Sequence, residues 1–183
     1  MSTEPLADVA AEEQDGRWVL RFERVLRHPR AKVWAALTEA DRLPRWAPFQ
    51  PDHDLVAAGP ARFTQTDGNV SDVVDAVVLR VEAPTLLEYD WGGDLLRWEL
   101  TEVDDGTRLV LHHAVRGPEW TSRVAAGWHL CLGACDRLLA GGPAEHVTGS
   151  AAVEHGWEDL ERRYAEAIGR PSAGWPDEVP RAQ

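Results

Sequence analysis

The spacing of apolar positions changes period along this chain, and each change predicts an element. Residues 17–27, RWVLRFERVLR, interleave β-formers with charged residues and predict a long strand. Pro29 ends it, and Val33, Trp34 and Leu37 follow at helical spacing. Pro29 fits just ahead of that helix or in its first turn. Thr38 is placed to cap a second short helix over 39–45, with Asp41 three residues on and Pro44 as its limit. From 48 to 117 the period becomes two, with strands predicted over 53–57, 61–66, 70–82, 85–91, 95–103 and 107–116. Gly59-Pro60, Asp67-Gly68-Asn69, Ala83-Pro84, Gly92-Gly93 and Asp104-Asp105-Gly106 separate them. Such short turns predict an antiparallel meander.

Alternation also assigns faces. Leu87, Tyr89 and Trp91 share one side of their strand, Trp98 and Leu100 share a side with Glu102, and Leu109, Leu111, His113 and Val115 share a side of theirs. One apolar face and one polar face describe a sheet covered on a single side. The cover is predicted to be a long helix around residues 127–139, GWHLCLGACDRLL, whose stripe is Val124, Trp128, Cys131, Cys135 and Leu138, widened by Leu132 and Leu139. Gly141-Gly142-Pro143 stops it. A further helix over about 152–168 carries Val153, Trp157, Leu160, Tyr164 and Ile168. The fold class is therefore α+β, an antiparallel sheet gripping a long C-terminal helix. Residues 1–16 contain five acidic residues and no Lys or Arg and are expected to form a flexible tail. Residues 17–168 form the domain, and 169–183, with Pro171, Pro176 and Pro180, an irregular tail.

Composition narrows the function. The net charge of −12 argues against nucleic acid and against anionic membrane surfaces. No segment approaches the ~20 apolar residues of a membrane span. The N-terminus, MSTEPLADVAAEEQ, lacks the basic and apolar regions of a signal peptide, and with two cysteines the chain is expected in a reducing cytoplasm. Nine tryptophans are many for 183 residues; they fill a core or line a ligand cavity.

Four stretches then carry a family resemblance. HPRAKVWAALTEADRLPRW, VEAPTLLEYDW, WELTEVDDGTRLVLHH and AAGWHLCLGACDRLLAG occur in the order seen in the START-like, or SRPBCC, superfamily. Within it, the chain resembles the bacterial single-domain homologues of the activator of heat-shock-protein-90 ATPase. The resemblance spans about residues 17–142 and implies the helix-grip (Bet v 1-like) fold, a curved sheet around a C-terminal helix with two short helices after the first strand. Gly59-Pro60-Ala61-Arg62-Phe63 stands where many relatives have a Gly-Gly-x-Trp/Phe element. Members of the superfamily bind lipids, hormones or polyketides, act as cyclases, or act on chaperones in stress responses.

The chemistry candidates are few. Cys131 and Cys135 lie within the helix stripe, with no lysine in the helix to lower a thiol pKa, and read as packing. His129 falls at the stripe's margin, near Asp136, and is expected at the surface or a rim. His113 points inward, and Glu102 on the neighbouring strand is its candidate partner. Asp52-His53-Asp54 alternate in direction if extended, so no metal is assigned. No phosphate loop, nucleophile elbow or H-E-x-x-H motif is present, and no cofactor or catalytic residue is assigned. The leading expectation is non-catalytic binding of a small hydrophobic or amphipathic molecule between sheet and helix. Its candidate contacts are Trp46, Phe63, Tyr89, Trp91, Trp98, His113, Trp128 and Leu132. A cyclase, dehydratase or hydrolase in the same cavity, and a chaperone-binding module, are the alternatives; a homodimer is left open.

Overall fold

A computed structural model describes residues 5–66, 72–145 and 147–176. Strands β1 (Asp8–Gln14) and β2 (Arg17–Leu26) lead into helix α1 (Arg30–Thr38) and a 3-10 turn, Leu43–Arg45. Then come β3 (Phe49–Pro51), β4 (Gly59–Gln65), β5 (Val73–Glu82), β6 (Leu86–Trp91), β7 (Asp94–Val103) and β8 (Gly106–Val115). Helices α2 (Glu119–Leu139), α3 (Ala151–Glu154) and α4 (Trp157–Ile168) close the chain. All strand pairs are antiparallel, in the order β1-β2-β8-β7-β6-β5-β4-β3, and the sheet curls around α2. This is the α+β helix-grip fold.

The face assignment accounts for the core. Leu87 and Tyr89 of β6, Trp98 and Leu100 of β7, and Leu109, Leu111, His113 and Val115 of β8 are all buried on the concave side. Each fully buried large apolar side chain there contributes about 1.5–3 kcal/mol. The convex side carries charged pairs, among them Arg97 with Glu88 and Glu99. Helix α2 begins at Glu119, two turns before Gly127-Trp128. It is buried on two sides, because α4 packs along the side that the sheet leaves open. Ser122 and His129 face that second contact, meeting Glu161 and Tyr164, and carried no apolar stripe in the sequence.

Several expectations need correction. The acidic segment 1–16 is not a tail throughout: residues 8–14 form the edge strand β1, in register with β2 from Asp8↔Glu23 to Gln14↔Arg17. Asp15 and Gly16, both at positive φ, make the tight turn between them. Leu6, Ala7 and Val9 pack against the core, and the Ala7 N–H donates to the Tyr164 hydroxyl at 3.0 Å. Residues 1–4 lie outside the described residues.

Residues 53–57 form a loop, not a strand. Asp52 Oδ1 accepts the Arg62 N–H and Asp54 Oδ1 the Ala40 N–H, while Leu55 inserts into the core. The short strand is β3, slightly upstream. Thr38 caps no second helix; its hydroxyl donates to the Trp34 carbonyl within α1. The predicted 152–168 helix is split at Gly156, in the left-handed region. The Asp67-Gly68-Asn69 turn and the first two residues of the predicted 70–82 strand lie outside the described residues.

The turn between β7 and β8 holds the end of β2. Gly106 sits at φ 142°, and a Cβ there would lie 2.2 Å from the Leu26 carbonyl oxygen. Gly106→Ala is predicted to cost roughly 3 kcal/mol, because backbone must move, whereas Gly93→Ala, with open space around it, costs about 1 kcal/mol. Urea denaturation of both variants checks the difference.

Candidate functional site: an apolar cavity beside the helix grip

The groove between the sheet and α2 is filled. Trp98 stands in its middle, with Trp46 edge-on at 6.5 Å and Trp128 edge-on at 5.1 Å between ring centroids. Phe63 stacks on Phe49 at 4.5 Å and meets Tyr89 at 5.3 Å. The polar ends are satisfied inside the core: the Trp46 indole N–H donates to the Ala36 carbonyl, and that of Trp98 to the Tyr89 hydroxyl at 3.0 Å. Burial raises the Tyr89 pKa well above the usual phenol value.

His113 joins sheet to helix. The Trp128 indole N–H, a donor only, reaches His113 Nδ1 at 3.0 Å. The proton of the neutral ring therefore sits on Nε2, which donates to Asp94 Oδ2 at 2.9 Å. Asp94, not Glu102, is the partner of His113. Glu102 lies opposite Thr107, three positions along the inner face from His113, and pairs with Arg30 at the surface. Asp94 follows the Gly92-Gly93 turn and shares the inner face with Leu96, which sits opposite His113.

The open space lies beside this chain of bonds. A cavity of about 210 Å³ opens along α2, past Trp120, Val124, Gly127, Trp128 and Cys131. Its far walls are Trp91 at the end of β6, residues 147–149, and Trp157 at the start of α4. Trp175 and Pro176 close over it, with Trp175 edge-on to Trp157 at 4.9 Å. Of the eight sequence-chosen contacts, Trp91, His113 and Trp128 line this cavity; Trp46, Phe63, Tyr89, Trp98 and Leu132 belong to the packed core. The cavity is thus displaced from the sheet–helix groove to its flank. Val124 belongs to the predicted stripe, and Trp120 and Gly127 fall at helical spacing from it, which was the signal available for them.

A strap covers one side of the cavity. The carboxylate of Glu161, 1% exposed, accepts from Ser122 Oγ at 2.7 Å, Ser172 Oγ at 2.5 Å and the Ala173 N–H at 2.9 Å. Arg123 donates through Nε and Nη2 to the carbonyls of Gly174 and Ala173, both at 3.0 Å. Residues 170–176 are irregular, as expected, but tied down; 177–183 lie outside the described residues. Burial alone would raise the Glu161 pKa, but the hydrogen bonds from Ser172, Ala173, Ser122 and Gly174 outweigh it and hold it below the ordinary 4.5.

His129 is not a rim residue. It is 2% exposed, and its Nδ1 lies 2.8 Å from the Tyr164 hydroxyl in the α2–α4 contact. Asp136 instead meets His28 at 2.8 Å. Burial pushes both thiols up, Cys131 and Cys135 alike to about 12. Among the described residues no group of three or more His, Cys, Asp or Glu could hold a metal. No helix of the described residues is long and apolar enough to cross a membrane.

Comparison with known proteins agrees with this fold. Residues 27–140 match the family described as activator of Hsp90 ATPase homolog 1-like protein. The chain belongs to this family. No curated protein matches it. The crystal structure of CalU16 from Micromonospora echinospora superposes with a TM-score of 0.68 at 23% identity, over 88% of this chain and 96% of that chain. The solution NMR structure of CalU16 gives 0.70 at 22%, over 92% and 98%. DynU16, described as a protein of the dynemicin biosynthetic locus, gives 0.61 at 23%, over 72% of this chain and 51% of its own. At these identities the likeness establishes the fold. The family segment stops at residue 140, so Val147, Trp157 and Trp175 lie C-terminal to the matched segment.

Two outcomes are expected. Because the folded Glu161 pKa is depressed, its bonds contribute fully above pH 4.5 and fade as the pH falls through the folded value. Glu161→Gln should cost about 1–3 kcal/mol near neutrality and shrink the wild-type loss of stability below that pH; urea titrations from about pH 7 to about pH 3.5 check it. Neither cysteine should react with iodoacetamide at about pH 8 in the native protein, and both should react once urea unfolds it. Native alkylation of either would contradict the assignment of both as packing.

Proposed function

We propose that the protein binds a small hydrophobic or amphipathic molecule in the cavity between α2, residues 147–149, Trp157 and the strap, and does no chemistry on it. The observation that carries this reading is the wall itself. Trp91, Trp120, Trp128, Trp157 and Trp175 all face one space that side chains of the core do not fill. Large rigid aromatics around a concave space suit recognition of an apolar ligand. At about 210 Å³ the space is larger than the ~150 Å³ cavity that holds a benzene. A mono- or bicyclic ring or a short acyl chain fits that size. The non-catalytic part of the reading rests on His113: both of its ring nitrogens are taken up by Trp128 and Asp94, so neither is aimed at a ligand as a general base. The protein is expected to act in the cytoplasm, as its cysteine content suggests.

A saturating ligand at about 100 times its Kd stabilises a protein by about 2.7 kcal/mol, which for this size raises Tm by roughly 5–10 °C. Gly127 supplies the control. It lies on the cavity wall, and a Cβ there meets nothing within 4 Å. Gly127→Leu is predicted to fill the space, raise the stability of the unliganded protein by about 0.5–1 kcal/mol through helix propensity, and abolish the ligand-induced shift. A thermal-shift screen of aromatic and acyl compounds against both proteins tests this. A shift retained in full by the Leu variant would contradict the proposed site.

A further inference from the structure

We infer that the ligand of this cavity is an organic anion, an aromatic or acyl group bearing a carboxylate or sulfonate, and that Arg123 is its counter-ion. This rests on the binding reading above. Among the described residues, Arg123 is the one lining residue that carries a full charge, and no carboxylate lines the space. The guanidinium is held in place rather than loose: Nε and Nη2 point at the strap carbonyls, and its carbon lies 4.9 Å from the Trp120 ring centroid. Those contacts use one edge and one face of the planar group. They leave Nη1, and the second N–H of Nη2, without a hydrogen-bond partner among the described residues. No carboxylate of the described residues lies within ion-pair distance of Arg123, although the chain as a whole is strongly acidic. A positioned, half-buried guanidinium with a free end beside apolar walls recognises an acid group, because the pairing is charge-assisted and the fork matches two acid oxygens. The tryptophans then take the apolar body, and the acid group sits towards the opening.

A matched pair of probes tests this: 2-naphthoate and the neutral 2-naphthalenemethanol, titrated by calorimetry into the full chain. Wild type is expected to bind the acid about tenfold more tightly than the alcohol. Arg123→Gln also removes the two strap ties and so weakens both probes, but it should weaken the acid about tenfold more than the alcohol and thereby erase the preference, and Arg123→Lys should keep part of it. Near-ultraviolet circular dichroism confirms that each variant keeps its tryptophan packing. Three results would overturn the inference. Equal or tighter binding of the alcohol by wild type would remove the anion preference but leave the cavity reading intact. An equal loss of both ligands in Arg123→Gln would make Arg123 a strap tie only. Binding of neither probe by wild type, together with no thermal shift of wild type by any screened compound, would remove the cavity reading itself.

Discussion

The bond from the Trp128 indole to His113 decides where this fold can be hollow. It sets the height of α2 over β8, and Trp98 wedges edge-on beneath the same indole. With Trp46, Phe49, Phe63 and Tyr89 arranged around Trp98, the space that a helix-grip fold can leave between sheet and helix is occupied by its own aromatic side chains. A close-packed interior of this kind does not open for a ligand without losing many contacts at once. The empty volume is displaced to the outer flank of α2, where strand β6 ends at Trp91.

That flank is completed from far along the chain. Its outer wall comes from residues after 140, and its cover from the segment after α4. A buried carboxylate and a guanidinium do the fastening. Glu161 gathers N–H and O–H donors from α2 and the strap, and Arg123 donates to the carbonyls of the same short segment. The two groups satisfy backbone that an irregular segment would otherwise leave unpaired against the protein. A tail without regular structure can therefore place Trp175 reproducibly.

The fold was legible because its determinants are local. Period-two alternation from β4 to β8 and the stripe of α2 each state which side is buried, and the hairpin turns fix the strand order. The missed strand β1 had its signal in Asp15-Gly16, a tight-turn pair between two alternating runs, but five acidic residues masked it. Those charges suit an edge strand, where they discourage pairing with another chain. The site was legible only in part. Inward placement of His113 and Trp128 follows from alternation and helical spacing. Whether an inward aromatic packs or lines a space depends on what lies opposite, and for Trp46, Trp98 and Trp157 those neighbours are remote in sequence. The partner of His113 depended on register, which separates Asp94 from Glu102 although both point to the same face. The burial of His129 required knowing that α4 covers a second side of α2.

The central claim is that ligand binds on the flank and leaves the packed groove untouched. Indole N–H signals of ¹⁵N-tryptophan-labelled protein, assigned by single Trp→Phe substitutions and followed while 2-naphthoate is added, test it directly. The account predicts that Trp120, Trp128, Trp157 and Trp175 shift, while Trp46 and Trp98, bonded to the Ala36 carbonyl and the Tyr89 hydroxyl, stay in place. Large shifts at Trp46 and Trp98 with the flank tryptophans unmoved would contradict it and put the ligand in the groove between sheet and helix.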